Sequence, residues 1–441
     1  MVENISFFGL GYVGIVYSVG FASKGFQVTG FDIDRERVKK LGEGISPIHE
    51  PHLKELLEEC ISKRTLRVTD DPEEAVSRSD VTFITVGTPS ENDGSVDLRH
   101  VVKASNMIGK ELKDKSGWHL ITVKSTVTPG TTENIVRKTI EEVSGKTAFK
   151  DFGLAVNPEF LREGSAVEDF MNPDRIIIGT NDEKSRHILE EIYSTFDCPK
   201  LVTNMNTAEL IKYANNAFLA MKVSFINMIA NLCQEIPGCD VEAVAKGIGL
   251  DRRIGEQFLR AGAGWGGSCL PKDLKAIRSF SNKLGLNLPL TDATLQINEE
   301  QPYIMIKLAK KVIGSLKGRR IAVLGLSFKP NTDDMREAVS IKIVKKLIGE
   351  GAEVVAYDPA AMKNAKKIFQ DKIKYAPSAI DCLRGAECAL IITEWDEFKK
   401  LKPEDFTEHM KTPVLIDGRR IFNPETFASK LKFEAIGLNS I

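Results

Sequence analysis

The sequence predicts an α/β protein with two Rossmann-type sheets, separated by a long central helix and a helical region. Three observations predict this class. Short apolar runs alternate with helical patterns over residues 1–200, as in a doubly wound parallel sheet. A stretch without Gly or Pro then runs from Ala208 to Ile236. A second series of strand and helix patterns begins at Arg320.

Length, charge and composition narrow the class of protein. A chain of 441 residues has room for two or three domains, and its formal net charge of −1 gives no argument for a nucleic-acid or membrane partner. No apolar run approaches the roughly 20 residues of a membrane span, and the N-terminus has no basic, signal-like region. The 7 Cys include no CxxC pair and the 6 His have no metal-type spacing. We therefore expect a cytoplasmic protein without a metal.

A dinucleotide-binding turn is predicted between the apolar run Ile5–Phe8 and the helical pattern that comes after it. A GxGxxG pattern there supplies a tight turn, a close approach of backbone to pyrophosphate, and close packing of helix on strand. Asp32 ends the next predicted strand and would accept hydrogen bonds from ribose hydroxyls, which favours NAD over NADP. Arg37 leaves NADP open, although it could instead stack on the adenine. The candidate cofactor residues here are Gly9, Gly11, Tyr12, Val13, Gly14, Asp32 and Arg37.

The remaining patterns of the first domain continue the alternation. Polar segments come directly after several predicted strands, at the edge where such sheets bind ligands. Residues 1–200 are therefore predicted to form one dinucleotide-binding domain. The predicted helices are 35–42, 51–62 and about 97–112, and the predicted strands are 27–31, 81–86, 120–123, 152–156 and 176–179.

One long amphipathic helix is predicted over Ala208–Ile236, which could bridge two domains, form a dimer core or lie buried. Lys212 and Asn216 share one face of it, and the lysine either extends to solvent or is held at a site. Helix is predicted to continue to about Arg260. Further helices are predicted at 273–285 and 293–315, within a central domain of residues 201–315.

A glycine-rich turn with a cysteine is predicted at residues 262–273, and Pro271 argues against a helix running through it. Its glycines would let the backbone approach a ligand closely. A lysine nearby favours the nucleophilic thiolate, which makes Cys269 a candidate nucleophile beside Lys272 and Asp273. The alternative is a buried structural cysteine.

A third domain is predicted at residues 316–441, after a linker at Gly314–Arg319. It resembles the first in plan but lacks the third glycine of the GxGxxG pattern, so we expect no dinucleotide there. Its predicted strands begin at Arg320 and include 353–358, 388–392 and 414–417, with a helix from near Arg336.

Taken together, these motifs resemble those of the UDP-glucose/GDP-mannose dehydrogenase family, and the resemblance covers nearly the whole chain. The motifs occur in the order found in that family. They are Gly9–Gly14, Ser125–Val127, Asn157–Gly164, Lys212 with Asn216, Gly266–Asp273, Phe328–Lys329 and Asp417–Arg420.

The resemblance implies a four-electron oxidation of a nucleotide-sugar C6 alcohol to a carboxylate, with two NAD used in turn. It implies that Cys269 attacks the aldehyde and that the thioester formed is hydrolysed with Glu163 as base and Glu159 helping to position water or substrate. Lys212 and Asn216 would hold the C6 oxygen. The first proton would go to a water held by Thr126 and Asp273, or to Lys212. The implied catalytic residues are Cys269, Lys212, Asn216, Asp273, Glu163, Thr126 and Glu159.

The resemblance also implies further binding residues and a homodimer or higher homo-oligomer, with Arg253 reaching into the neighbouring subunit. Further cofactor-side candidates are Thr88, Ser125, Thr126, Glu163, Lys272 and Arg336. The substrate-side candidates are Glu159, Phe160, Leu161, Arg162, Glu163, Lys212, Asn216, Arg253, Phe258, Arg260, Gly266, Phe328, Lys329 and Arg419.

The substrate implied is UDP-glucose. Two other nucleotide sugars and two other functions are alternatives. Leu270 after the cysteine is common in GDP-mannose enzymes, whereas residues 251–255 and 258–259 are of the UDP-glucose type. Ser268 argues against the UDP-N-acetylhexosamine branch, where His is usual. Two remoter alternatives are a two-electron hydroxyacid dehydrogenase and a non-catalytic NAD-binding protein. The intact catalytic set argues against the second of these.

Overall fold

A computed structural model describes residues 2–439, and the chain divides into two compact units. The first comprises Met1–Asn215 and Lys275–Leu284, and the second comprises Asn216–Leu274 and Gly285–Ile441. Each unit contains one sheet with helices around it.

The sheet of the first unit has eight strands in the order β3-β2-β1-β4-β5-β6-β7-β8. Neighbouring strands are parallel, except that β7 pairs antiparallel with β6. The fully parallel sheet that the pattern predicts is therefore wrong at this pair, because the connection from β6 returns the chain along the sheet in the reverse direction. The strands are β1 Asn4–Phe8, β2 Gln27–Phe31, β3 Leu66–Thr69, β4 Val81–Ile84, β5 Leu120–Val123, β6 Gly153–Val156, β7 Ile176–Thr180 and β8 Lys200–Thr203.

Helices of the first unit begin where the sequence supplies caps. Asp34, Asp71 and Asp182 each accept a hydrogen bond from a first-turn backbone N–H. A π-helical turn at Thr132–Val136 leads directly into α6. The helices are α1 Tyr12–Ser23, α2 Arg35–Gly42, α3 Leu53–Ser62, α4 Pro72–Ser77, α5 Arg99–Asp114, α6 Arg137–Ser144, α7 Ala166–Met171, α8 Glu183–Ile192 and α9 Met205–Cys233.

The long helix α9 contains the division between the units, which falls after Asn215. By length and composition it could cross a membrane, contrary to the expectation that no segment could, but a core helix of a soluble protein passes the same test. Its buried residues include the polar Glu209, Lys212, Asn216 and Ser224. Buried polar groups along a helix are typical of packing within a protein.

The second unit is helical up to its sheet, and three of the predicted helix bounds are wrong. Residues 250–260 form turns, since Gly255 adopts a φ of +70°. The helix predicted at 293–315 is divided at Pro302. Pro271 was expected to prevent a helix, but it lies in the first turn of α11, where proline is tolerated. The helix expected near Arg336 begins at Val339. The helices are α10 Val241–Gly249, α11 Leu270–Lys283, α12 Pro289–Glu300, α13 Pro302–Ile313, α14 Val339–Gly349, α15 Met362–Phe369, α16 Ala379–Leu383, α17 Asp396–Lys399, α18 Pro403–His409 and α19 Pro424–Ala428, with a 3₁₀ turn at Gln370–Lys372. Helix α11 also contains a division between the units, after Leu274.

The sheet of the second unit has six parallel strands in the order β11-β10-β9-β12-β13-β14. Its inner strands are almost fully buried, as the continuous apolar runs predict. The strands are β9 Arg320–Leu324, β10 Glu353–Tyr357, β11 Lys374–Tyr375, β12 Cys388–Ile391, β13 Val414–Asp417 and β14 Lys432–Ala435.

Candidate active site

The GxGxxG turn joins β1 to α1 in the first unit, as the sequence predicts. Gly9 has a φ of +103°, and its N–H donates to the carbonyl of Phe31 at 2.8 Å. A Cβ at Gly14 would lie 1.9 Å from the carbonyl oxygen of Gly9, whereas a Cβ at Gly11 would have nothing within 4 Å. Protein atoms therefore pack against the turn at Gly9 and Gly14, whereas the space beside Gly11, at the N-terminus of α1, is open. This arrangement fits a dinucleotide pyrophosphate.

Asp32 is buried directly after β2 and is held by the same turn. Its Oδ2 accepts the N–H of Leu10 at 2.7 Å and a guanidinium N–H of Arg37 at 2.9 Å, and its Oδ1 accepts the N–H of Asp34. Asp32 is therefore fixed at the end of the strand where a ribose would lie. Arg37 faces this carboxylate in an ion pair, half-exposed.

Three further cofactor-side candidates lie on two neighbouring loops of the same sheet edge. The Ser125 hydroxyl, after β5, donates to the carbonyl of Val86 at 2.7 Å, after β4. The Thr88 hydroxyl donates to the carbonyl of Thr126 at 2.9 Å. These bonds bring Thr88, Ser125 and Thr126 together and fix both loops where ligands bind to a parallel sheet.

The loop Asn157–Gly164 comes after β6 and brings two predicted catalytic residues into contact. The Lys212 ammonium donates to the carbonyl of Glu159 at 2.8 Å and to its Oε1 at 3.1 Å, and both side chains are buried. The other carboxylate oxygen, Oε2, accepts the N–H of Leu161 at 2.6 Å. The ring of Phe160 lies 5.2 Å from the Lys212 ammonium. Paired buried charges of this kind hold each other in place.

Other residues of this loop have different surroundings. Arg162 is exposed and forms an ion pair with Asp169, while Leu161 packs on the apolar core. Glu163 is half-buried and precedes Gly164. The charged residues of this loop therefore differ in exposure, from the buried Glu159 through the half-buried Glu163 to the exposed Arg162.

Two residues that the sequence did not single out hold this loop. Lys124 is buried, and its ammonium donates to Asn157 Oδ1 at 2.6 Å and lies 3.8 Å from the centre of the Tyr17 ring. Burial lowers the pKa of Lys124 to about 7. Glu50 accepts the N–H of Gly164 at 2.7 Å. In the sequence these two residues appear only as single charges next to predicted strand or loop residues.

In the second unit, Cys269 directly precedes α11, whose first turn contains a carboxylate with two hydrogen-bond partners. Asp273 is buried in the first turn of that helix, and its N–H donates to the carbonyl of Cys269 at 2.9 Å. The Asn216 amide donates to Asp273 Oδ2 and the Lys272 ammonium donates to Oδ1, each at 2.6 Å. The thiol is half-buried, with the Ser268 hydroxyl 3.5 Å from the sulfur. A helix N-terminus favours negative charge and therefore a thiolate.

The glycines before Cys269 are explained by contacts with the protein. A Cβ at Gly266 would lie 2.3 Å from the carbonyl oxygen of Glu337, and one at Gly267 would lie 2.7 Å from the Phe328 ring. The N–H of Gly267 donates to the carbonyl of Arg336. Close backbone approach is therefore real at these glycines, but its partner is the segment that precedes α14. The expectation that they approach a ligand gains no support from these contacts.

The predicted substrate cations are spread over the second unit. Arg253 is exposed and forms an ion pair with Asp251, and the cofactor-side candidate Arg336 is likewise exposed and paired with Asp334. The Arg260 guanidinium donates to the carbonyl of Arg419, whose own guanidinium donates to the carbonyl of Gly264. Lys329 lies beside the Phe328 ring at 5.6 Å. Arg260 and Arg419 thus contact each other, and the guanidinium of Arg419 and the backbone carbonyl of Arg336 each contact the glycine loop.

Phe258 adopts a φ of +63° and its side chain is partly exposed. A bulky residue in this region is strained. Such strain persists where the surrounding structure determines it, often near a ligand.

The fold and the fingerprint turn define a dinucleotide-binding α/β protein. Family models for UDP-glucose/GDP-mannose dehydrogenases match residues 3–197 as the NAD binding domain, 206–300 as the central domain and 322–424 as the UDP binding domain. The chain belongs to the UDP-glucose/GDP-mannose dehydrogenase family.

Named relatives match nearly the whole chain. It is 44% identical over 423 residues to the UDP-glucose 6-dehydrogenase AglM of Haloferax volcanii, covering 95% of this chain and 97% of that one. It is 39% identical over 439 residues to the UDP-glucose 6-dehydrogenase YwqF of Bacillus subtilis, covering 99% and 98%. A solved UDP-glucose dehydrogenase from Pyrobaculum islandicum superposes with a TM-score of 0.93 at 41% identity, covering 99% and 98%. The predicted family, fold class and NAD cofactor are confirmed.

Proposed function

We propose that the protein oxidises UDP-glucose to UDP-glucuronate with NAD. The observation that carries the proposal is the identity of 44% and 41%, over nearly the full length, to a UDP-glucose 6-dehydrogenase and a solved UDP-glucose dehydrogenase. The GxGxxG turn, the Cys269 thiol and the hydrogen-bonded pair of Asp273 and Asn216 supply the residue types that such a reaction needs.

NAD is proposed to bind at the fingerprint turn, where Asp32 meets the ribose and the N-terminus of α1 meets the pyrophosphate. Bound NAD supplies the hydride acceptor for each of the two oxidations. The loops that carry Thr88, Ser125 and Thr126 would border the cofactor on the same sheet edge. Arg37 is proposed to stack on the adenine while its ion pair with Asp32 persists. Val13, Lys272, Arg336 and Glu163 remain proposed cofactor residues.

In the first oxidation Lys212 and Asn216 are proposed to stabilise negative charge on the C6 oxygen. A water held by Thr126 and Asp273 would accept the hydroxyl proton, with Lys212 as the alternative acceptor. The short bond from Asn216 to Asp273 supports the pairing of these two side chains in one function. Cys269 is proposed to act only after the aldehyde has formed.

The thiolate of Cys269 would add to the aldehyde carbon and form a C–S bond, and the carbonyl oxygen would take up a proton. Loss of a hydride and that proton from the adduct leaves a thioester. Water then adds to the thioester with Glu163 as base, and the C–S bond breaks to release the carboxylate and the thiol. Glu159 would position water or substrate through its carboxylate, which Lys212 and the N–H of Leu161 hold in place.

The sugar diphosphate is proposed to meet cations of the second unit, since diphosphate oxygens bind guanidinium groups well. Phe258 and Phe328 would pack against the nucleotide, and the segment Glu159–Glu163 would line the sugar. The proposed cations are Arg253, Arg260, Lys329 and Arg419. The three proposed domains would then have separate roles. Residues 1–200 would bind NAD, residues 201–315 would carry the thiol, and residues 316–441 would bind the nucleotide sugar.

A cytoplasmic homodimer is proposed as the working form. Helix α9 leaves large apolar side chains exposed at Phe218, Phe225, Met228 and Leu232, which lie near one face. Exposed apolar stripes of this kind are typical of a protein interface, and a second copy would cover this one. Sedimentation velocity should give a dimer for the wild type and a monomer for Phe218→Glu.

The test of the function is a panel of UDP-glucose, GDP-mannose and UDP-N-acetylhexosamines with NAD, with NADH counted per sugar consumed. Two NADH per UDP-glucose are expected. One NADH per substrate would favour a two-electron dehydrogenase. No turnover with any of these sugars would overturn the proposal that the protein is a nucleotide-sugar dehydrogenase. Cys269→Ser should stop acid formation while it leaves NAD binding unchanged. A Cys60→Ser control, at a buried thiol in the first unit, should keep both.

A further inference from the structure

Glu50 lies in the loop between α2 and α3 and is nearly fully buried. Its carboxylate accepts hydrogen bonds from two distant parts of the first unit. Oε2 accepts the N–H of Gly164 at 2.7 Å and the hydroxyl of Tyr12, and Oε1 accepts the N–H of Ala166 at 2.6 Å. The Tyr12 hydroxyl also accepts the N–H of Gly164 at 3.1 Å.

These partners belong to two regions with different proposed tasks. Tyr12 is the first residue of α1 and directly follows Gly11 of the fingerprint turn. Gly164 directly follows Glu163, the proposed base. One buried carboxylate therefore connects the turn that would bind NAD to the backbone that carries the base.

The chemistry of the contacts calls for a carboxylate. The first N–H groups of a helix have no partner within it, and Ser165 at the start of α7 makes no side-chain cap bond. Glu50 supplies the cap for the N–H of Ala166 from outside the helix. Gly164, Ala166 and Tyr12 all face it as donors, so an ionised acid, which only accepts, satisfies all three.

We propose that Glu50 is a positioning residue that fixes the backbone at Gly164 and thereby aims Glu163 at its water. The proposal rests on the proposed function, in which Glu163 is the base for thioester hydrolysis. Glu50 acts through the loop and the fingerprint turn, and it need not touch substrate. Tyr12 would share this task through its hydroxyl.

Glu50→Gln tests the proposal with a side chain of the same size. The amide places an NH₂ group against backbone donors, so at least one of the bonds to Gly164, Ala166 or Tyr12 is lost. Thioester hydrolysis should then slow at least about tenfold, and by no more than the 10²–10⁴-fold that a general base contributes. Intact-mass spectrometry during turnover should show a sugar adduct on the variant that does not accumulate on the wild type.

A structural role without positioning would not make this adduct accumulate. Tyr12→Phe removes only one hydroxyl and should give the same adduct in smaller amount. Glu55→Gln, at an exposed acid in the first turn of α3, is the matched control and should behave as wild type. Hydrogen exchange supplies a readout without substrate, since the amides of Gly164 and Ala166 should exchange faster in Glu50→Gln than in the wild type or in Glu55→Gln.

The outcomes separate this inference from the proposed function. Adduct accumulation with faster exchange at Gly164 and Ala166 supports the inference. Wild-type NADH rates in Glu50→Gln, with no adduct, overturn it while the proposed function stands. If the wild type turns over no UDP-glucose, the proposed function fails. Hydrogen exchange then decides the loop-fixing role by itself. Unchanged exchange at Gly164 and Ala166 in Glu50→Gln would overturn that role, and faster exchange would support it.

Discussion

The two sheets of the protein begin with the same turn and use it differently. In the first, Gly9 has a φ of +103° and the N–H of Leu10 donates to Asp32 at 2.7 Å. In the second, Gly325 has a φ of +96° and the N–H of Leu326 donates to Asp358 at 2.7 Å. In both, the glycine N–H donates to the last residue of the neighbouring strand. The frame of strand, glycine, strand and acid is therefore the same.

The difference lies in the segment after the glycine. Helix α1 begins at Tyr12 and presents its N-terminus to the turn, whereas α14 begins only at Val339, after a long loop. Asp358 also accepts the N–H and hydroxyl of Ser327 and the indole N–H of Trp395. The first frame thus leaves a helix terminus and an open glycine beside the turn, whereas in the second a long loop takes the place of that helix terminus. Protein donors occupy both acids, but Asp358 accepts six hydrogen bonds, whereas Asp32 accepts three.

The largest expected effect separates the two aspartates. In Asp358→Asn either amide orientation places an NH₂ group against donors, because Oδ1 also accepts the N–H groups of Ala360 and Ala361. We expect the free energy of unfolding to fall by about 3 kcal/mol or more, since buried donors lose their acceptor. Affinity for NAD should stay unchanged in the fraction that folds. Urea denaturation and calorimetric titration with NAD measure the two quantities.

Asp32→Asn is the matched variant in the first sheet. It breaks fewer internal bonds, so stability should fall by about 1–2 kcal/mol, while NAD affinity should fall about tenfold or more. Equal loss of NAD affinity in both variants would mean that the second turn also takes part in cofactor binding, contrary to this comparison.

A smaller effect separates two glycines of the fingerprint turn. Gly14→Ala places a methyl group 1.9 Å from the carbonyl oxygen of Gly9, so α1 must shift, at a cost of about 1–3 kcal/mol. Gly11→Ala meets no atom within 4 Å and should leave the melting temperature nearly unchanged. Both should weaken NAD binding. Thermal melts with and without NAD would contradict this if Gly11→Ala kept wild-type stabilisation by the cofactor.

How far the sequence predicted this molecule depends on the range of its signals. Apolar runs of the inner strands and the glycine fingerprint are local patterns, and they predicted the inner strands of both sheets and the glycine turn correctly, but not the antiparallel pairing of β6 with β7. The edge strands of both sheets, β3, β8, β11 and β14, were missed, because short edge strands carry charged residues that weaken the apolar signal. The break before Pro302 was also missed, although proline is a helix-breaking signal that the sequence contains.

The supporting residues of the site are beyond local patterns. Glu50 meets Gly164 across 114 positions of sequence, and Lys124 meets Asn157 across 33. No periodicity or spacing encodes such pairs, so both residues appear in the sequence only as single charges. The catalytic assignments themselves stay predictions, since they depend on the family resemblance and on residues brought together within each unit.

The last comparison concerns charge at equivalent strand ends, and its effect is measured as a slope of stability with pH. Lys124 directly follows β5, whereas β13, at the same place in the second sheet, ends in the buried Asp417, which accepts the N–H groups of Ile421 and Phe422. Burial raises the pKa of Asp417 and lowers that of Lys124 to about 7. The charged groups facing Lys124 are Glu159 and Lys212, and the titratable hydroxyls of Tyr17 and Tyr193 pack around it.

Linkage gives the sign of the resulting pH dependence. Lys124 has a folded pKa near 7, below the unfolded value of 10.5, so between these values the unfolded chain binds more protons and stability rises with pH. The expected contribution approaches about 1.4 kcal/mol per pH unit above pH 7. Urea denaturation at pH 7, 8 and 9 should show this slope reduced in Lys124→Met. Lys113→Met, at an exposed position of α5, should keep it, and equal slopes in wild type and Lys124→Met would mean that the buried lysine stays charged in the folded protein.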